Sequence, residues 1–237
     1  MSTSIPVPEG EIAKRPLQFF WIVDHSGSMA GKKMAMLNQA IREAIPQICK
    51  AVAEHPQVQI MMRAIKFSDI AAWHIGPSAV PVEKFIWSDL GPTGSTSTAK
   101  ALRLLASELT LGKMPRRAFP PVCILISDGY CTEKAEVYDS AIAELLNLPW
   151  GARAVKMAIG VGDQADYDEN ELLKFVSHKE VGVLKADNPE KLIAFIVWSS
   201  VAASVGASSG KSAQGEGLND IVTIPPPPVF KSGPTVF

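Results

Sequence analysis

The chain has 237 residues, of which 47% are hydrophobic and 20% are charged, and its formal net charge is −1. This length accommodates one α/β domain of about 200 residues plus a tail, and the composition is that of a globular protein with a sizeable core. Because Lys and Arg are not clustered, nucleic acid is not expected as the main partner. The amino-terminal residues lack the apolar stretch of a signal peptide, so a soluble cytoplasmic protein is predicted.

Short apolar runs alternate with amphipathic segments in the first half of the chain. Runs of apolar, aromatic and β-branched residues predict three strands, at 18–23, 58–67 and 71–75. The last two of these strands are expected to form a hairpin. Apolar residues at helical spacing predict two helices, at 32–54 and 98–109. Pro46 lies inside the first helix, so a kink or a break into two helices is expected there.

The alternation continues in the second half. Strands are predicted at 121–126, 152–161 and 181–184, and helices at 136–148, 170–178 and 189–203. The strand at 121–126 is almost continuously apolar, as in a parallel sheet buried on both faces. The last helix has Asn188 as its expected N-cap and Pro189 in its first turn. Strands alternating with helices predict a doubly wound, mostly parallel sheet with helices on both faces.

One domain with an extension at each end is expected. Residues 1–15 are interpreted as an extension, 16–204 as the domain, and 205–237 as a Gly/Ser-rich and then Pro-rich tail. The tail is interpreted as a flexible terminus with a polyproline II segment at 225–228; a docking peptide, for a partner or for the domain itself, is the alternative. The uncharged stretch between Lys191 and Lys211 turns to Ala, Ser and Gly, so no membrane span is expected.

Three polar signals lie at predicted strand ends or at a helix start. Asp24, Ser26 and Ser28 directly follow the strand at 18–23, and Asp128 follows the strand at 121–126. The third signal is the loop "GPTGSTSTAKAL" at 91–102, which contains Thr96 and opens into a helix. Ligands of open α/β sheets bind at the carboxyl ends of strands, near the point where the strand order reverses. The three loops are therefore expected to meet at that point.

The residue types in these loops are oxygen ligands, which suit Mg²⁺ or Mn²⁺ and, less well, Ca²⁺. Alternate residues of an extended turn point the same way, so Asp24, Ser26 and Ser28 are able to converge on one ion. Thr96 and Asp128 would complete the far side of the site, and the two carboxylates would balance a divalent charge. Each piece taken alone is more often a helix cap or a turn. All three together, in this order, favour a metal site.

The stretches "IVDHSGSM", "GST" with "AL" five residues on, and "ILISDG" resemble the metal-ion-dependent adhesion site (MIDAS) of von Willebrand factor type A domains. The resemblance covers about residues 16–203. It implies a Rossmann-like doubly wound sheet with one short antiparallel edge strand. The helix start "GKKMAMLNQAIREAI" is similar to the bacterial TerY-like branch, cytosolic proteins associated with tellurium-resistance gene clusters.

The same resemblance implies a ligand set. Ser26, Ser28 and Thr96 would ligate the metal, and Asp24 and Asp128 would ligate it directly or through water. Ser95 stands where the family's loop more often has a second Gly, which leaves a choice among Ser95, Thr96 and Thr98 as the hydroxyl donor. His25 occupies a position that varies in the family and is interpreted as a loop side chain at the rim of the partner surface.

Three functions fit these residues. The favoured one is a protein-binding module whose metal captures an Asp or Glu carboxylate of a partner; the TerY-like resemblance implies kinase-like or phosphatase-like partners in stress response or defence. A metal-dependent phosphohydrolase is the second, but neither a nucleophile elbow nor a P-loop is present, so the chain is not expected to be an enzyme. The third is a metal-free structural interaction domain. The first is favoured because all five ligand positions hold competent residues.

Overall fold

Six strands form one sheet in which the first strand lies near the middle. The strands are β1 (Arg15–Asp24), β2 (Val58–Phe67), β3 (Ala71–Pro81), β4 (Val122–Ser127), β5 (Val155–Val161) and β6 (Val183–Ala186), in the order β3-β2-β1-β4-β5-β6. Neighbouring strands are parallel except β2 and β3, which are antiparallel. The computed structural model describes residues 14–55, 58–163, 167–208 and 225–230. The prediction of a doubly wound, mostly parallel sheet with an antiparallel edge strand is confirmed.

Helices cover both faces of this sheet. They are α1 (Lys32–Ala53), α2 (Thr98–Glu108), α3 (Ala135–Leu146), α4 (Pro149–Arg153), α5 (Glu169–Phe175) and α6 (Pro189–Ser208). Buried residues of α1 and α6 belong to the core on one face, and those of α2, α3, α4 and α5 to the core on the other. Within the described part of the chain, no helix is both long enough and apolar enough to cross a bilayer.

The position of β1 between two layers of helices explains why its sequence is almost continuously apolar. Phe19, Trp21 and Val23 pack into the core beneath α1 and α6, whereas Phe20 and Ile22 pack into the core beneath α2 and α3. All five are fully buried. Because successive side chains of a strand point to opposite faces, a strand covered on both faces needs apolar residues at every position.

Pro46 does not divide the first helix. Of the two outcomes that the sequence predicted there, a break does not occur, because α1 is one helix from Lys32 to Ala53 with Pro46 inside it; the predicted kink stays a prediction. Pro46 and Arg42, one turn before it, both lie on the exposed side of the helix. Proline cannot donate the hydrogen bond to the carbonyl four residues earlier, and its ring crowds that carbonyl, so a position on the exposed side of the helix accommodates it better than one facing the core.

Most of the other predicted elements are found with bounds that differ by a few residues, and the differences at β3 and at α3 and α4 have a clear physical reason. The antiparallel strand β3 runs on past residue 75 to Pro81, with register shifts in its pairing to β2. Its Pro77 is tolerated because an edge strand needs no partner for every N–H. The helix predicted at 136–148 is instead α3 followed by the short α4. Helix α4 starts at Pro149 and includes residues 152 and 153, which were predicted to begin the strand at 152–161. Proline suits the first position of a helix, so Pro149 starts a new one.

The two ends of the chain are described in part. The interpretation of 1–15 as an extension and of most of the tail as flexible lies largely outside the described residues. Helix α6 continues to Ser208, past the predicted domain boundary at 204. Residues 225–230 are described, and the ring of Phe230 packs edge-on against Phe195 of α6, with ring centroids 5.5 Å apart.

Candidate metal centre

The strand order creates a crevice at the carboxyl ends of β1 and β4. From β1 the chain passes through α1 to β2 on one side, and it later returns through α2 to β4 on the other side. The two crossovers use opposite faces of the sheet, so the loops that follow β1 and β4 diverge at their neighbouring ends. Three loops meet there: 24–30 after β1, 91–97 before α2, and 128–133 after β4.

The first loop folds back on the end of β1. The carboxylate of Asp24 accepts a hydrogen bond through Oδ1 from the backbone N–H of Ser26, at 2.8 Å. The hydroxyl oxygens of Ser26 and Ser28 lie 3.0 Å apart. Asp24 and Ser26 are 0% exposed, whereas Ser28 is open to solvent. Three oxygen-bearing side chains of this loop therefore form a group with a buried side and an open side.

Backbone hydrogen bonds fasten the second loop to the first. The N–H of Gly27 donates to the carbonyl of Gly94 at 2.9 Å, and the N–H of Thr93 donates to the carbonyl of His25 at 2.7 Å. Gly94 has φ +66°, and a Cβ there would lie 2.3 Å from Asp69 Oδ1. These contacts set the backbone of the loop that carries Thr96, which is 2% exposed.

The third loop contacts both of the others. Ser127, the last residue of β4, donates from its hydroxyl to Asp24 Oδ2 at 2.6 Å. The backbone N–H of Thr132 donates to the carbonyl of Thr96 at 3.0 Å, and the Thr132 hydroxyl donates to the same carbonyl at 2.8 Å. Glu133 accepts from the N–H of Ala99 at 2.9 Å and so caps the start of α2. Asp128 itself is 0% exposed.

All five candidate ligands therefore lie on loops that are hydrogen-bonded to one another. The sequence did not single out Ser127, Thr132 or Glu133 as contributors, because each resembles an ordinary turn residue until its distant partner is known.

The competing hydroxyl donors of the second loop differ in their surroundings. Ser95 is exposed, whereas Thr98 is buried as the first residue of α2. Non-glycine residues with positive φ are absent from the part of the chain that the structure describes, so Ser95 adopts an ordinary backbone conformation.

The two carboxylates of the candidate site carry more negative charge than the basic side chains beside them balance. Burial raises the pKa of Asp24; hydrogen bonds from Ser127 and Ser26 lower it, and the neighbouring Asp128 raises it further. Lys33 Nζ lies 3.0 Å from Asp128 Oδ2. No Lys, Arg or His in the described ranges forms an ion pair with Asp24. Buried carboxylates are costly unless a cation balances them. A set of carboxylate and hydroxyl oxygens with a net negative charge fits a hard divalent cation.

His25 corrects one prediction. The sequence placed its side chain at the rim of the partner surface, but the residue is 7% exposed. Its Nδ1 lies 3.1 Å from the carbonyl oxygen of Gly91, so the ring holds the second loop against the first. Trp87 is buried as well, at 7% exposed, and its indole N–H donates to the side-chain oxygen of Asn38 at 3.1 Å.

Known proteins share this architecture. A sequence profile of the von Willebrand factor type A domain matches residues 20–195. Similar solved structures include a von Willebrand factor type A protein from Catenulispora acidiphila, with a TM-score of 0.61 and 18% identity over 80% of this chain and 43% of that one. The ArnB paralog VWA2 from Sulfolobus acidocaldarius has a TM-score of 0.58 and 17% identity over 78% and 45% of the two chains. A comparison with curated protein sequences finds no match.

A third structure carries a metal. Proximal thread matrix protein 1 from the mussel byssus, solved with a zinc-occupied MIDAS motif, has a TM-score of 0.54 and 18% identity over 81% of this chain and 47% of that one. This chain spans less than half the length of all three of these proteins, and identities at this level establish the shared fold alone. The profile match, at residues 20–195, extends over most of the chain. This protein belongs to the von Willebrand factor type A domain family.

Proposed function

We propose that this domain binds a divalent cation through Asp24, Ser26, Ser28, Thr96 and Asp128, as a MIDAS, and captures an Asp or Glu carboxylate of a partner protein through that cation. The observation that carries the proposal is the burial of two carboxylates beside the paired hydroxyls of Ser26 and Ser28. Lys33 supplies one positive charge beside Asp128, and a divalent cation would supply the remaining charge that Asp24 lacks. Neutral hydroxyl ligands leave the ion electrophilic, and the exposed side at Ser28 gives a partner's carboxylate access to it.

The donor set favours Mg²⁺ or Mn²⁺ over Zn²⁺. All five residues offer hard oxygen atoms, and zinc prefers nitrogen and sulfur ligands. In the described ranges, no group of three or more His, Cys, Asp and Glu side chains forms a metal cluster. The zinc-occupied motif of the mussel protein supports divalent binding by this fold in general. Zinc therefore belongs among the ions to be tested here.

Von Willebrand factor type A domains commonly mediate metal-dependent protein interactions, and we propose a more particular role for this one. It acts in the cytoplasm as a TerY-type component of stress response or defence, with kinase-like or phosphatase-like partners. The support for this branch is the helix start "GKKMAMLNQAIREAI" directly after "DHSGSMA".

Calorimetric titration with Mg²⁺, Mn²⁺ and Zn²⁺ tests the metal site. We expect the wild-type chain to bind Mg²⁺ or Mn²⁺, and the Asp24→Asn, Ser26→Ala double variant to bind more than about tenfold more weakly. Asp139→Asn is the matched control, because Asp139 is an exposed carboxylate on α3 that pairs with Lys174. Equal affinity in wild type, double variant and control would refute the metal site.

Affinity capture tests the partner interaction. The full chain is immobilised in Mg²⁺ or in EDTA, and retained proteins are identified by mass spectrometry. We expect a partner that is retained by the wild type in Mg²⁺, lost in EDTA and lost with the Asp24→Asn, Ser26→Ala variant. Replacing the partner's acidic residues one at a time should identify the captured carboxylate. Retention that is independent of metal and of Asp24 would favour the metal-free interaction domain instead.

The same samples test the enzyme alternative. Metal-dependent hydrolysis of a generic phosphate monoester, abolished by His25→Ala, would favour a phosphohydrolase. No observation in the site favours it, since His25 is buried and its Nδ1 faces a backbone carbonyl. We expect no metal-dependent turnover.

A further inference from the structure

The proline segment Pro225–Phe230 lies in a groove between the edge strand β6 and helix α6, a surface that is separate from the metal-site loops. On the domain side, four apolar residues, Val181, Val183, Leu184 and Phe195, line a cavity of about 300 Å³. Pro227, Pro228 and Phe230 line it from the segment side. The rings of Phe195 and Phe230 meet edge to face, with an interplanar angle of 82°. Such ring pairs stabilise a contact by more than the apolar area that they bury.

The charged side chains around the groove are paired within the domain, which suits an uncharged peptide. Lys185 and Lys191 also line it, but each already has an acidic partner on the domain: Lys185 pairs with Glu169 at 2.8 Å and Lys191 with Asp187 at 2.6 Å. The segment "PPPPVF" carries no charge. Because both lysines are neutralised by the domain itself, the groove offers an apolar floor without an unbalanced charge to an apolar ligand.

Proline suits this position beside an edge strand. Among the residues that the structure describes, β6 pairs only with β5, so its other side is an open edge there. Open edges invite pairing with other strands unless something covers them. Proline has no N–H to donate, so the segment covers the groove without extending the sheet. A proline run also has a preformed extended shape, which lowers the entropy lost on docking.

We propose that the groove between β6 and α6 is a peptide-binding site for an uncharged Pro-Pro-x-Phe segment, and that the chain fills it with its own residues 225–230. Residues 209–224 join the end of α6 to this segment, and sixteen residues span at most about 55 Å when fully extended. A covalent tether of this length raises the local concentration of the segment to the millimolar range. The same segment supplied as a free peptide therefore competes poorly unless the tethered copy is weakened.

A peptide-exchange experiment on the full chain tests this proposal. A fluorescein-labelled peptide with the sequence of residues 222–231, "VTIPPPPVFK", is titrated with wild type, Phe230→Ala and Val229→Ala chains, and anisotropy is measured. We expect Phe230→Ala to bind the peptide at least about tenfold more tightly than wild type, because its own segment has lost the ring contact. Val229 is 92% exposed, so Val229→Ala is the matched control and should behave like wild type.

A second peptide tests the role of the phenylalanine ring without any further change to the protein. The labelled peptide in which Phe is replaced by Ala should not bind the Phe230→Ala chain, whose folding is checked by circular dichroism. Equal peptide binding by wild type and Phe230→Ala, or no binding to either, would overturn the proposal. A concentration-dependent dimer of the wild type that Phe230→Ala abolishes would overturn the intramolecular arrangement, since the groove would then be filled by a second copy. Metal binding should be the same in all of these chains.

Discussion

At the scale of single residues, Lys33 is the cation that balances Asp128. Its Nζ lies 3.0 Å from Asp128 Oδ2, with the lysine side chain 18% exposed and the carboxylate fully buried. It also lies 5.8 Å from the centre of the Tyr130 ring. In the described residues it is the only basic side chain that pairs with either carboxylate of the candidate site. A divalent ion bound by Asp128 would be repelled by this ammonium group, so Lys33 would weaken the proposed metal binding while its ion pair with Asp128 stabilises the metal-free fold.

Replacing Lys33 by Gln should separate these two effects. We expect Lys33→Gln to bind Mg²⁺ or Mn²⁺ roughly tenfold more tightly, the size expected for removing a like charge a few ångströms from a partly buried ion. Without metal, the variant should melt at a lower temperature than wild type, because Asp128 loses its partner. Calorimetry and thermal denaturation measure the two changes. Lys32→Gln, at the exposed neighbouring position, is the control, and identical results for both variants would show that Lys33 has no special role.

At the scale of elements, the loop at 91–97 depends on its glycines unequally. Gly94 has φ +66°, and a methyl group there would meet Asp69 Oδ1 at 2.3 Å; its carbonyl also accepts the hydrogen bond from Gly27. Gly91 has open space around its Cα. The two positions therefore form a natural pair for testing whether the backbone of this loop positions Thr96.

Gly94→Ala should shift this loop and weaken both the fold and the metal site. We expect the free energy of unfolding to fall by about 1–3 kcal/mol, from the strained φ and the clash with Asp69, and Mg²⁺ affinity to fall with it. Gly91→Ala should change neither quantity measurably. Urea denaturation and metal titration of both variants check this. A Gly94→Ala variant as stable as Gly91→Ala would contradict the described backbone.

At the scale of the whole molecule, a buried charge network joins the sheet to α2. Arg63 of β2 donates to Glu108 of α2 at 2.8 Å and to Gln18 of β1 at 2.9 Å, and its guanidinium lies 4.3 Å from the centre of the Phe20 ring. Burial lowers the pKa of Arg63, and the charge and hydrogen bond of Glu108 oppose that change. One guanidinium group therefore links side chains of three elements from distant parts of the chain.

Arg63→Met should destabilise the protein strongly. We expect a loss of about 3–5 kcal/mol, since breaking a buried pair leaves the Glu108 carboxylate short of one partner. Arg63→Met with Glu108→Leu should recover part of this loss, because it also removes the buried carboxylate, which in the single variant keeps only Lys113 as its ionic partner. Arg103→Met is the control: Arg103 pairs with Glu144 on the surface, and its loss should have little effect. Urea denaturation of the four chains gives the comparison, and equal stability of Arg63→Met and Arg103→Met would refute it.

Local patterns account for most of what was predicted correctly. The strand at 58–67 is observed with the predicted bounds, and the alternating order of strands and helices led to the correct sheet. The errors occur where tertiary environment overrides a local signal. Pro46 is harmless because it faces solvent, and His25 is buried because the loop at 91–97 covers it. Neither residue carries a sequence signal that distinguishes these outcomes from the alternatives.

By itself the sequence determined the class of sheet and the five candidate ligands, because apolar periodicity and the residues that follow each strand are local properties. Only the tertiary structure decided what surrounds those ligands. Ser127 bonds to Asp24 across 103 positions of sequence, and Lys33 pairs with Asp128 across 95. The contact of Phe230 with Phe195 likewise forms only because the segment at 225–230 lies against α6. Such pairs form because the fold brings distant residues within hydrogen-bond or van der Waals distance, and composition and spacing do not encode those distances directly.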